Sequence, residues 1–215
     1  MSVAVKVCGL STRESVAAAV RGGARFVGFV FYPPSPRHVT PEQAATLCAG
    51  VPPGISKVGL FVDAEDALVK AALDAAPLDL LQFHGRESPE RVSDVRRRFG
   101  RPVMKAIAVA AAEDLALAQR YYGSADRLLF DAKPPRDMVG ALPGGNGLAF
   151  DWKLLGERRW PVPWMLSGGL TAENLAEAVA TTHAAEVDVS SGVESAPGVK
   201  DPNKIAAFLA RSRAL

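Results

Sequence analysis

The stretches "LSGGLT" and "DVSSGVE" put small residues, Ser167-Gly168-Gly169 and Ser190-Ser191-Gly192, directly after short apolar runs. Glycine lets a backbone approach an anion closely, and the exposed N–H groups supply hydrogen bonds, so such turns suit a phosphate. Each alone reads equally as a tight turn without a ligand. Two further residues stand where a packed core has little use for them. Asp131 ends the run in "LLFDAK", where an unpartnered carboxylate would be costly to bury. Cys8 ends the run in "VKVCGLS" and precedes a glycine. It has two readings, a small buried hydrophobe or a group with a chemical role.

Other reactive residue types are scattered. His38, His84 and His183 show no ligand spacing such as H-x-x-x-H, so no metal is expected. His84 ends the run "LDLLQFH", either lining a site or serving as a satisfied structural histidine. His183 falls at a helix end and is expected to be exposed. Cys48, in "AATLCAG", follows a helical pattern and reads as core. Asp188, in "EVDVS", stands between two roles, a site residue or an internal hydrogen-bonder.

The elements that must position these groups are legible as a repeat. Eight apolar runs, "VAVKVC", "RFVGFVF", "SKVGLFV", "LDLLQFH", "PVMKAIAV", "RLLFD", "VPWML" and "AEVDVS", end roughly 22 to 36 residues apart, the spacing of successive strand–loop–helix units. They are continuous and not alternating, as in a parallel sheet covered by helices on its outside. Helix-start chemistry lies between them. Ser11 and Glu14 are spaced as a capping box, as are Thr40 and Gln43 with Pro41 at the first helical position. Ser88-Pro89 and Asp201-Pro202 repeat the device, and Gly22-Gly23 and Gly100 mark helix ends. The absence of G-x-G-x-x-G after the first run favours a closed barrel over an open doubly wound sheet. The expectation is an α/β fold, a single (β/α)₈ barrel domain over residues 1–215, with its chemistry at the C-terminal strand ends.

Composition narrows the partners. Hydrophobic residues at 48% and charged residues at 22% fit a globular chain able to bury a core without disulfides or structural metal. A formal net charge of +2 gives no basis for a nucleic-acid or membrane partner. Arg96-Arg97-Arg98 ends a helical pattern, where cations favour the dipole, and reads as a solvated face. Two unframed cysteines, no signal-peptide pattern and no membrane-spanning run point to the cytoplasm. Monomer and homodimer are not separable from the sequence. The connection "KPPRDMVGALPGGNGLAF", residues 133–150, is long and glycine-rich, a pattern shared by active-site lids and by surface insertions.

These segments in order resemble the phosphoribosylanthranilate isomerase family over nearly the whole chain. "VKVCGLS" is similar to the family's K-x-C-G start and "GFVFYPPSPRHVTP" to its G-F-x-F-x-x-x-S-x-R segment. "QFHG", "LLFDAK", "GGNGLAFDW", "LSGGLTAENL" and "VDVSSGVESAPGVKD" follow in family order. The resemblance implies an Amadori rearrangement of a phosphoribosyl–anthranilate substrate without cofactor. It implies Cys8 as general base, Asp131 as general acid and Arg37 holding the anthranilate carboxylate. The loops with Gly168, Gly169, Ser190, Ser191 and Gly192 would form the phosphate clamp, with His84 and Asp188 also in the substrate site. Asn146 and Leu148-Ala149 depart from the more polar residues the family often carries in that loop.

The implied chemistry starts from the wrong resting states. A free thiol of pKa about 8.5 is mostly protonated at neutral pH, and a free Asp of about 3.9 is ionised. Burial would help keep Asp131 protonated but disfavours a thiolate, so backbone N–H groups or Lys6 would have to favour it. Rival readings are a metal-dependent phosphosugar epimerase, an aminoimidazole-type sugar isomerase, which would use Asp where Cys8 stands, and a noncatalytic phosphometabolite-binding barrel.

Overall fold

In the computed structural model, which describes residues 3–135, 137–138, 142–156 and 158–215, the eight apolar runs form eight strands. They are β1 (Ala4–Cys8), β2 (Phe26–Phe31), β3 (Ser56–Phe61), β4 (Leu80–Phe83), β5 (Val103–Val109), β6 (Arg127–Ala132), β7 (Trp164–Leu166) and β8 (Glu186–Val189). Each pairs in parallel with its neighbour, and β8 closes the barrel on β1, with Lys6 in register with Asp188. Strand side chains alternate between two sides. Val5, Val7, Val27 and Phe29 join the large core shared with the helices, whereas Phe26, Leu80, Met104 and Met165 belong to a separate cluster inside the barrel. Both sides are covered, which is why the runs are continuous.

Helices α1 (Arg13–Arg21), α2 (Pro41–Cys48), α3 (Asp66–Ala75) and α4 (Pro89–Phe99) follow the first four strands. Thr40 and Gln43 form the expected capping box, and Ser88 caps α4. The box expected at Ser11 and Glu14 lies one residue on. Thr12 is the cap, its Oγ1 accepting from Ser15 N at 3.1 Å while Ser15 Oγ accepts from Thr12 N at 3.3 Å. Serine is short enough to reach back, and Glu14 sits in the first turn, where its charge suits the helix dipole.

The second half is less regular. After β5 the chain makes a 3₁₀ turn (Ala112–Leu115) and one turn of α5 (Ala116–Gln119), and after β6 only α6 (Lys153–Gly156). Pro134, Pro135 and the glycines of the 133–150 loop leave no room for a longer helix. Trp160 and Trp164 pack beside that gap on Phe130, with ring centroids 4.4 and 5.7 Å away. Helices α7 (Leu175–Thr182) and α8 (Pro202–Arg213, capped by Asp201) complete the ring. Between β8 and α8 lie a 3₁₀ turn (Ser191–Val193) and a hairpin of β9 (Glu194–Ala196) and β10 (Val199–Lys200). Arg96 and Arg97 pair with Asp126 and Asp94 at 2.6 Å each, and Arg98 pairs with Asp66, a solvated face as expected. Among the described residues no helix is long and apolar enough to cross a membrane.

Candidate active site

Cys8 ends β1 with its side chain inside the barrel mouth, opposite Gly28 of β2 in register. A Cβ at Gly28 would lie 3.0 Å from Cys8 Sγ and 3.2 Å from Lys6 Nζ, so the missing side chain is the space these two groups share. Lys6, two residues back, also points inward and is wholly buried. Its ammonium donates to Asp188 Oδ1 at 2.9 Å and lies against the Cys8 thiol, while Ser167 donates to Asp188 Oδ2 at 3.2 Å. Burial pushes the Cys8 thiol above its usual range and the Asp188 carboxylate adds to this; Lys6 and Lys200 oppose it. Burial also works against a charged Lys6, but Asp188 and Cys8 outweigh it and hold the ammonium protonated. Lys6 therefore does reach the thiol, yet its principal partner is Asp188, which the sequence left between two roles.

Asp131, near the end of β6, is buried. Its Oδ1 accepts from Ala132 N at 2.9 Å, and its Oδ2 lies 3.1 Å from His84 Nε2. The other ring nitrogen, His84 Nδ1, lies 3.0 Å from Gln82 Nε2. Gln82 and His84 share the inner side of β4 because strand side chains repeat every second residue. Gly144, from the 133–150 loop, seats its backbone on this pair. A Cβ there would fall 2.7 Å from both Asp131 Oδ2 and His84 Nε2. Val139, Gly140, Ala141 and Arg136 of that loop lie outside the described residues.

Small residues after β7 and β8 form the wall between Asp131 and Cys8. Gly168 has φ 92°, a conformation that L side chains rarely adopt, and a Cβ there would meet Ala132 N at 2.8 Å. Among the described residues the Gly168 and Gly169 N–H groups donate to no protein acceptor, whereas Gly169 O is held by Asn174 Nδ2 at 2.9 Å. The loop thus turns its donors toward the cavity.

Arg37 is buried in the loop after β2, and its fork is taken. Nε and Nη2 donate to the two oxygens of Glu194 at 2.7 and 2.8 Å, and Nη2 also to Gly145 O at 3.1 Å. Lys200 Nζ donates to Glu194 Oε1 at 2.5 Å and to Ser190 O at 2.9 Å. Burial opposes the Glu194 charge, but Arg37 and Lys200 prevail and hold its carboxyl below the usual range. Burial lowers Lys200, with Glu194 opposing. Glu194 and Lys200 were not singled out from the sequence. The available signal was a pair of opposite charges flanking "APG", a hairpin pattern.

One cavity collects the site residues expected from the sequence. Cys8, Arg37, His84, Asp131, Gly168, Gly169, Asp188, Ser190, Ser191 and Gly192 all line it, and the segment Leu142–Leu148 covers it. Asn146 braces that cover internally, its amide donating to Leu142 O at 2.7 Å and accepting from Leu142 N at 3.1 Å. His183 is exposed at the end of α7 and Cys48 is buried in the core, as read from the sequence. Among the described residues no three His, Cys, Asp or Glu side chains converge to hold a metal.

Residues 5–211 match the family model for N-(5'phosphoribosyl)anthranilate (PRA) isomerase. An N-(5'-phosphoribosyl)anthranilate isomerase of Paracoccus denitrificans is 59% identical over 214 residues, covering 100% of this chain and 99% of the relative. One of Rhodospirillum centenum is 59% identical over 215 residues, covering both chains completely. The solved phosphoribosyl anthranilate isomerase of Thermotoga maritima superimposes with a TM-score of 0.88 at 35% identity, over 99% of this chain and 100% of the other. Another, in complex with reduced 1-(o-carboxyphenylamino)-1-deoxyribulose 5-phosphate, gives a TM-score of 0.83 at 33% identity over 99% and 100% of the two chains. With the closed eight-stranded barrel and its lined mouth already described, the chain belongs to the N-(5'-phosphoribosyl)anthranilate isomerase family.

Proposed function

We propose that residues 1–215 act as one barrel domain in which Asp131 is the general acid and Cys8 the general base of the family's isomerisation. The family's reaction is an aldose–ketose isomerisation in tryptophan biosynthesis, the Amadori rearrangement of N-(5'-phosphoribosyl)anthranilate. Asp131 gives its proton to the sugar ring oxygen as the C–O bond opens, and the electron pair of that bond stays on the oxygen. The iminium so formed acidifies the neighbouring C–H, and the Cys8 thiolate removes that proton. The enolamine then tautomerises to the ketone. The Lys6 ammonium steadies the thiolate, because it is the cation in contact with the sulfur.

The substrate's phosphate is bound by the N–H groups of Gly168, Gly169, Ser191 and Gly192, with Ser190 beside them. Arg37, aimed by Glu194, meets the anthranilate carboxylate with its remaining Nη1. His84 and Asp188 contact the substrate from the acid and base sides. The Leu142–Leu148 cover acts as a lid that excludes water during ring opening. One site is complete within one chain, so a monomer and a homodimer work alike, and a reducing cytoplasm keeps Cys8 a thiol.

The observation that carries this reading is the meeting of Cys8 and Asp131 in one cavity, three strands apart around the barrel, with donor-rich loops between them. The test is turnover of freshly generated phosphoribosylanthranilate, followed by loss of its fluorescence before and after exhaustive chelation. Undiminished turnover is expected. Loss on chelation, restored by a divalent ion, favours the epimerase-like reading.

A further inference from the structure

Gln82 is wholly buried on β4, in register with Leu60 and Met104, and does not line the cavity. Its contact of consequence is with His84, which in turn touches Asp131. Its Oε1 is buried and, among the described residues, meets no hydrogen-bond partner. We propose that Gln82 is a positioning residue for the acid: the orientation of its amide decides which ring nitrogen of His84 carries a proton, and so whether Asp131 faces a donor or an acceptor. This rests on the reading of Asp131 as the acid.

Each contact in the chain Gln82–His84–Asp131 needs one donor and one acceptor. If the amide N–H donates to His84 Nδ1, the neutral ring carries its proton on Nε2 and donates it to an Asp131 carboxylate. A half turn of the amide exchanges its oxygen and nitrogen. Oε1 then accepts from Nδ1–H, the Nε2 lone pair faces Asp131, and Asp131 must bring the proton. Only the second arrangement stores a proton on the carboxyl that protonates the sugar oxygen. After that transfer Asp131 is a carboxylate and takes a proton from water before the next turnover. The partnerless Oε1 means that the first arrangement is not locked by other protein groups, so the amide is free to follow the proton.

The surrounding charges are engaged elsewhere and leave the amide as the nearest influence on the ring. Lys6 is on Asp188, Arg37 on Glu194, Lys105 on Glu87 and Lys133 on Asp114, and Asp63 accepts from Arg86 N. Cys8, Tyr32, Arg37 and Asp188 also line the cavity, and of these Asp188 and Arg37 are held by Lys6 and Glu194.

Two-bond ¹H–¹⁵N correlation spectra of the full chain read the His84 tautomer directly, with only three histidines to assign. Titrated across the alkaline limb of the kcat/KM profile, His84 should change from the Nδ1–H to the Nε2–H form. Gln82→Met should abolish that coupling, shift the alkaline limb to lower pH and lower kcat between about 10- and 10²-fold with KM little changed. Gln82→Glu, whose carboxylate can only accept, should keep the Nδ1–H form throughout. A single tautomer at every pH in the wild type, or a Gln82→Met enzyme with an unchanged pH profile, overturns the proposal. If Gln82→Met does not fold, the wild-type spectra decide alone. Failure of the underlying acid assignment looks different, as an Asp131→Asn variant that keeps its kcat.

Discussion

On the β1–β8 side of the barrel mouth the Cys8 thiol lies on a buried pair of formal charges, Lys6 beneath the cavity and Asp188 at its wall. On the β4–β6 side the Asp131 carboxyl ends a string of groups that exchange donors for acceptors, Gln82 and His84, with the backbone of Gly144 laid across it. The first arrangement is electrostatically fixed, since neither buried ion can leave its partner cheaply. The second can hold different proton counts with no more than a half turn of the Gln82 amide. Variants of the ion pair on the Cys8 side should therefore damage the fold as well as turnover, and variants on the Asp131 side should damage turnover alone.

The largest effects are expected from the two groups proposed as base and acid. Cys8→Ser and Asp131→Asn should each lower kcat/KM by about 10²–10⁴-fold while substrate binding survives, measured by single-turnover fluorescence and by equilibrium titration. A Cys8→Ser enzyme that kept most of its kcat would return the thiol to a packing role. Next comes stability. Lys6→Met leaves Asp188 buried and unpaired and should cost about 3–5 kcal/mol in chemical denaturation. The double variant Lys6→Met/Asp188→Leu should regain most of that stability without regaining activity, because the thiolate still lacks its cation. A Lys6→Met protein as stable as the wild type would erase the contrast between the two sides.

A smaller effect concerns pH. Burial pushes the Cys8 thiol up, so the rising limb of kcat/KM should lie above the range of a free thiol, activity growing as the thiol deprotonates. Raising the pH favours the thiolate that the proposed mechanism uses, and removing Lys6 should move the limb further up, since Lys6 opposes the upward push. The smallest change is Gly144→Ala. The added methyl must lift the cover from Asp131 and His84, and kcat should fall about tenfold with an unaltered melting temperature.

The barrel was legible because its signal is local. Apolar runs bounded by helix-start residues recur, and each run became a strand. Cys8 and Asp131 were legible because a reactive side chain at a strand end stands out against Val and Phe. The packing of Trp160 and Trp164 on Phe130 beside the short α6 escaped because it brings together residues some thirty positions apart. The cap at Thr12 escaped because Ser11 and Glu14 fit the same spacing rule, and only the backbone decides between them. The pairing of Lys6 with Asp188, 182 residues away, and the Glu194 grip on Arg37, 157 residues away, depend on closure of the ring, which no window of sequence contains.

That same closure has a bearing on how the molecule is made. The ion pair under the thiol joins the first strand to the last, across the seam where the ring is zipped shut. A growing chain that has completed seven strands still offers Lys6 no carboxylate, and burying the ammonium there would be unfavourable. Until the eighth strand docks, Lys6 has no Asp188 to pair with. Long-range joints of this kind form late, since the intervening chain has to be ordered before they are rewarded. The charge environment of the thiol and the closure of the ring are thus completed by the same strand.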